Sequence, residues 1–162
     1  MKHLSVIFIT LSIILSVIAC ILPNWSTTTS PSNTGLFITC DERDSFNPIC
    51  SPTHAGNGLL PAKIFSMAGP VLLAISAVLC GMGQNKGWVL STLVGGIACL
   101  TATLIIFAVS YAPSIEPGCV SSDDLLATCP SLSTSWYLEL GAVIVAIIGV
   151  VIKVRSSTIA II

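Results

Sequence analysis

From Asn24 to Cys50 the chain reads NWSTTTSPSNTGLFITCDERDSFNPIC, the longest polar segment in an otherwise apolar sequence. A tryptophan opens it directly after an apolar run, Gly35-Leu36-Phe37 precedes Cys40 by two residues, and Cys50 follows ten positions later. Two strands joined by a turn span such a gap and bring two cysteines within disulfide reach. A polar, cysteine-bearing segment bounded by apolar runs reads as a loop held outside a membrane by the rest of the chain.

Composition supports that placement. Of 162 residues 54% are hydrophobic and 8% charged, against about a quarter charged in ordinary soluble domains. The net charge of −1 leaves no basic excess for binding nucleic acid, and none is expected as a partner.

Outward from the loop, four apolar runs predict spans over residues 4–22, 64–82, 88–111 and 136–152, each long enough to cross a hydrocarbon core of about 30 Å as a helix. They leave polar loops at 23–63 and 112–135 and make residues 1–162 a single membrane domain. Lys2 and Val17-Ile18-Ala19-Cys20 also fit a lipoprotein signal, but the apolar run continues through Ile21 and Leu22, so a retained first span is expected. Pro70 falls inside the second run, where it removes a helix hydrogen bond and leaves a carbonyl for a neighbour to satisfy. The short Gly83-Gln84-Asn85-Lys86-Gly87 link makes the second and third helices antiparallel neighbours.

Charge sets an expected orientation. Lys2, Lys86, Lys153 and Arg155 fall on one side, and Arg43 and Lys63 on the other, which predicts cytoplasmic N- and C-termini. The acids Asp41, Glu42, Asp44, Glu116, Asp123, Asp124 and Glu139 then lie on or near the outer face. Trp25, Tyr111, Trp136 and Tyr137 mark the outer interface and Trp88 the inner one. Glu139, about one turn inside the fourth run, is expected to snorkel to the surface, with an ion site as the alternative.

The loop cysteines are Cys40, Cys50, Cys119 and Cys129. Four cysteines allow three pairings; one pair within each loop is expected, with cross-loop links as the alternative, and each closed loop would stabilise by roughly 2.5 to 3 kcal/mol. Cys20, Cys80 and Cys99 fall within spans as small packing residues, Cys80 near enough to the inner end to be a palmitoylation candidate. Ser12, Ser16 and Cys20, then Gly95, Cys99 and Thr103, then Gly141, Val145 and Gly149, recur at helical spacing and would let helices approach closely.

His3 and His54 are far apart and no metal-ligand spacing is present; no nucleophile beside a base and no glycine-rich phosphate loop is visible. Neither an enzyme nor a cofactor is expected. Asp41, Glu42 and Asp44 follow Cys40 directly and are either a solvated face or a cation-attracting cluster at a pore mouth. The Asn24-Trp25-Ser26 glycosylation pattern lies almost at the membrane and is expected to go unused. Ile159-Ala160-Ile161-Ile162 offers a hydrophobic carboxyl end that a PDZ domain would add to its sheet.

Trp25, Gly35-Leu36, Cys40 and Cys50 resemble the signature of the claudin, peripheral myelin protein and epithelial membrane protein superfamily. That superfamily, which includes auxiliary channel subunits and fungal plasma-membrane proteins, carries a tryptophan after its first span, then G-L-W-x-x-C and a second cysteine eight to ten residues on. Phe37 stands where the family has tryptophan, and the gap from Trp25 to Gly35 is shorter than in claudins, which takes residues from the first hairpin of the family's sheet. The resemblance implies an all-α membrane fold: a four-transmembrane-helix bundle with a small extracellular antiparallel β-sheet formed mainly by the first loop. It also implies a plasma-membrane protein of cell junctions that associates with its own copies laterally and across membranes, forming adhesive or barrier contacts. The alternative it carries is an auxiliary subunit modulating an ion channel or receptor.

Overall fold

Each apolar run forms a helix in the computed structural model, which describes residues 2–27, 32–41, 49–53, 59–111 and 131–158. The helices are α1 (Lys2–Ile21), α2 (Leu60–Gly81), α3 (Lys86–Tyr111) and α4 (Thr134–Thr158). All four are long and apolar enough to cross a membrane. Their outward faces are apolar too: Ile7, Met67, Val71, Val78, Val94, Ile105 and Val109 are all exposed. Water would disfavour that much apolar surface, whereas hydrocarbon accepts it as readily as a protein core does.

Helix bounds differ from the sequence expectation mainly at polar ends. α2 begins four residues early because Pro61 sits in its first turn, where a missing N–H costs nothing. α3 begins at Lys86, capped by the Asn85 side chain, which accepts the Gly87 N–H at 3.1 Å. Gly83, at φ +69°, turns the chain between α2 and α3 in the left-handed region that glycine enters freely. α4 runs six residues beyond the expected end, through Lys153 and Arg155 to Thr158, since polar side chains there continue the helix past its apolar stretch.

α1 packs chiefly on α4 and α2 on α3. The α2–α3 contact is closest at Gly69 and Gly96: a Cβ on Gly96 would stand 2.9 Å from Leu73, and one on Gly69 would meet Leu100. The small-residue expectation named Gly95 instead, which is one position off the contact; its Cβ would have ordinary room beside Leu72. On α4, Gly149 does face α1, at Ile9 and Phe8, but Gly141 faces open space. Along the α1–α4 seam the hydroxyls donate across: Ser12 Oγ to the Ala142 carbonyl at 2.7 Å and Ser5 Oγ to that of Gly149 at 3.4 Å. Buried hydroxyls in apolar surroundings need such partners.

Pro70 lies within α2 without ending it. Lacking an N–H, it frees the carbonyl of Ser66, four residues earlier, and the Cys20 thiol of α1 points its weak donor there at 3.9 Å. Cys20 is thus more than packing volume; it answers the proline.

At one end of the bundle five short strands form an antiparallel sheet in the order β4-β3-β2-β1-β5. They are β1 (Ser26–Thr27), β2 (Ser32–Thr34), β3 (Ile38–Asp41), β4 (Ile49–Pro52) and β5 (Ser131–Leu132). The first loop supplies four of them and the second loop the edge strand β5, paired with β1. Within the short Trp25–Gly35 segment β1 and β2 pair at two positions, Ser26↔Thr34 and Thr27↔Asn33.

Candidate functional site: the sheet-capped end of the bundle

The residues that carry the sequence signature meet where the sheet joins the helices. Trp25 is fully buried. Its Nε1 donates to the Ala19 carbonyl near the end of α1 at 2.7 Å, and its ring lies 4.9 Å from that of Phe107 on α3, tilted by 55°. Such a pair adds to area burial through the ring quadrupoles. Leu36, Ala19 and Ala62 complete this core, so one tryptophan ties the sheet to α1, α2 and α3 together. Trp25 therefore serves as an anchor in the protein interior, its ring covered by helices and sheet. Trp136 is half-buried in the same way, with Nε1 to the Leu104 carbonyl at 3.5 Å, while Tyr137 is exposed.

Gly35 and Leu36 make the β2–β3 turn. The Gly35 N–H donates to the Ile38 carbonyl at 2.8 Å. A Cβ there would stand 2.6 Å from that same oxygen and 2.7 Å from the Pro23 Cα, both backbone atoms that have no rotamer to adjust. Phe37 is half-buried with the Lys63 Nζ 5.8 Å from its ring centre, a cation–π placement that a phenyl ring also provides. Cys40 and Cys50 are direct partners across β3 and β4 and form a disulfide with Cα atoms 4.1 Å apart.

Thr53 and Thr39 join the site without having been singled out in the sequence, and Lys63, read there only for orientation, joins it too. Lys63 Nζ donates to the Thr53 carbonyl at 2.9 Å. Thr53 Oγ1 donates to the Gly35 carbonyl at 3.0 Å and so accepts from Thr39 Oγ1 at 2.9 Å. The signal for Lys63 was its position, a lysine on the side opposite the other span-end bases; its role there is to clamp the first turn of α2 to β4 and Phe37.

Glu139 overturns the snorkelling expectation. It is fully buried, and Ser16 Oγ of α1 donates to its Oε1 at 3.1 Å. It faces α1, the element α4 packs on most, so its side chain has no route to the surface.

Asp41 ends β3, its backbone paired with Ile49; its side chain, Glu42 and Asp44 lie outside the described residues, as do Cys119, Cys129 and the carboxyl-terminal Ile159–Ile162. Cys20, Cys80 and Cys99 are free, and Lys153 Nζ lies 3.2 Å from Cys80 Sγ at the far end of the bundle. Among the described residues no group of three or more metal-ligating His, Cys, Asp or Glu side chains occurs.

Four membrane-length helices and a disulfide-closed sheet define the class as a multi-pass membrane protein with a small β-sheet head. Neither a scan against protein-family models nor a search of curated proteins returns a match.

Proposed function

We propose that this chain is a claudin-like four-span structural protein of the plasma membrane, with its sheet outside and both termini in the cytoplasm. It associates with copies of itself in the plane of the membrane, and its sheet contacts the apposed membrane. The observation that carries this reading is a rigidly mounted edge strand. β4 terminates the strand order, all four of its residues are exposed, and Ile49 is 74% exposed. Its pairing with β3 is closed by Cys40–Cys50, and Trp25 fixes the sheet to the helices. An edge strand offers backbone donors and acceptors to another chain, and bracing by a disulfide and a buried tryptophan lowers the ordering cost of the contact.

The reading is tested by expressing fluorescently tagged protein in cells without comparable contacts and counting subunits by stepwise photobleaching, alongside freeze-fracture imaging. Assembly predicts enrichment at contacts or intramembrane arrays, lost when Ile49 is replaced by proline or lysine with surface delivery retained. Diffuse monomers in every membrane tested would overturn it. Copurification in mild detergent with a larger channel or receptor in place of its own copies would turn the assignment to an auxiliary subunit.

A further inference from the structure

Four buried side-chain oxygens have no hydrogen-bond partner among the described residues: Asn24 Oδ1, Ser26 Oγ, Ser135 Oγ and Glu139 Oε2. Three of them belong to one junction, where β1 meets the start of α4, and the fourth lies one turn into that helix. The Ser135 N–H donates to the Asn24 backbone carbonyl at 3.0 Å, the Ser133 N–H donates to that of Trp25 at 3.0 Å, and Ser26 pairs with Leu132. Glu139 follows Ser135 by one helical turn on the same face, and helical side chains lean toward the N-terminus, so its carboxylate leans toward Ser135. Ser26, Ser135 and Glu139 are each at most 2% exposed. Leaving so many buried oxygens without a partner is costly, and their succession along one junction points to a common occupant.

The chemistry of the cluster selects that occupant. Every unpartnered atom is oxygen, the donor type of hard cations. One carboxylate supplies one negative charge, which matches a monovalent ion. The opening N–H groups of α4 are already given to the Asn24 and Ser133 carbonyls, so the helix end has little to offer an anion. Among the described residues no basic side chain is placed to balance Glu139: Lys86, Lys153 and Arg155 belong to the other end of the bundle, and Lys63 donates to Thr53.

We propose that the junction of β1 and α4 binds an alkali-metal cation, held by the Glu139 carboxylate and the Ser135 hydroxyl, with the Asn24 side-chain carbonyl and the Ser26 hydroxyl completing its shell directly or through water. The ion joins the sheet to the α1–α4 seam through Glu139, Ser16 and Asn24, and so acts as a fastening between head and bundle. The assignment is independent of self-association.

The experiment is thermal melting of the full-length protein in detergent or nanodiscs, followed by tryptophan fluorescence, in sodium, lithium, potassium or choline chloride at equal ionic strength. The expected result is a saturable rise in Tm with at least one alkali cation and none with choline. Glu139→Gln abolishes the rise, and Ser135→Ala raises the half-saturating concentration about tenfold, the order lost when one supporting group leaves a metal site. Ser12→Ala, in the same seam but bonded to Ala142, lowers Tm equally in every salt. As a readout independent of the folding of Glu139→Gln, broadening of the sodium-23 resonance by the unmodified protein, reversed by lithium, is measured beside it. Wild-type melting that is the same in alkali and choline salts, or no sodium-23 broadening, overturns the proposal and leaves the cluster to water or to a protonated carboxyl.

Discussion

Trp25 and Gly35 are positions where one side chain, or its absence, holds the head to the bundle. Trp25→Phe keeps most of the apolar area but strands the Ala19 carbonyl that Nε1 reaches at 2.7 Å, and it should cost about 1–3 kcal/mol. Trp25→Ala also opens a cavity against Phe107 and Leu36 and should cost roughly 3–5 kcal/mol. Both losses would be measured as reversible unfolding in mixed micelles, and equal effects of the two variants would argue that the indole hydrogen bond contributes nothing. Gly35 and Gly69 make a second comparison. A new methyl at Gly35 meets the backbone of Ile38 and Pro23, whereas at Gly69 it meets the flexible end of Leu100. Gly35→Ala should therefore destabilise by about 2 kcal/mol more than Gly69→Ala, in the range of overpacking against atoms that cannot move; the reverse order of melting temperatures would contradict the turn geometry.

Among elements, α2 carries a defect that α1 repairs. Pro70 leaves the Ser66 carbonyl without its helical donor, and Cys20 supplies a weak one at 3.9 Å. Cys20→Ala should cost about 0.5–1 kcal/mol in the native background and nearly nothing beside Pro70→Ala, where the restored N–H takes over the carbonyl. A double-mutant cycle with zero coupling would show the two residues to be independent. The sheet has a similar division of labour: β3 and β4 are closed covalently by Cys40–Cys50, while β1 and β5 are held by two residues each and by the helices beneath them.

For the whole molecule, the charge asymmetry and the sheet at one end of four spans predict a sided labelling pattern. Cysteines introduced at Thr28 or Ser131 should react with an impermeant maleimide on intact cells, and one at Ser157 should react only after permeabilisation; the opposite pattern would invert the proposed topology. Nonreducing digests of the same preparations should yield Cys40 linked to Cys50 and Cys119 linked to Cys129. A cross-loop link would contradict the Cys40–Cys50 pairing seen across β3 and β4 and remove the reason for treating the two loops as separately closed.

The sequence by itself determined the membrane class and the four helices and favoured the Cys40–Cys50 pair over cross-loop links, because these rest on local quantities. A run of apolar residues long enough for a bilayer has few soluble alternatives, and two cysteines flanking a polar turn have few other partners. It also located Trp25, Gly35 and Leu36, through a pattern of residue types. Their physical tasks were beyond it. That Trp25 reaches back to Ala19 and across to Phe107, that Cys20 answers Pro70, and that Gly96 in place of Gly95 sets the α2–α3 approach all depend on which helix faces meet. Glu139 illustrates the difference most clearly: one turn from the end of an apolar run, its exposure is undetermined by sequence position. The tertiary structure decided it by packing α1 against that face of α4 and placing Ser16 beside the carboxylate, so that a residue expected at the surface became a buried hydrogen-bond acceptor.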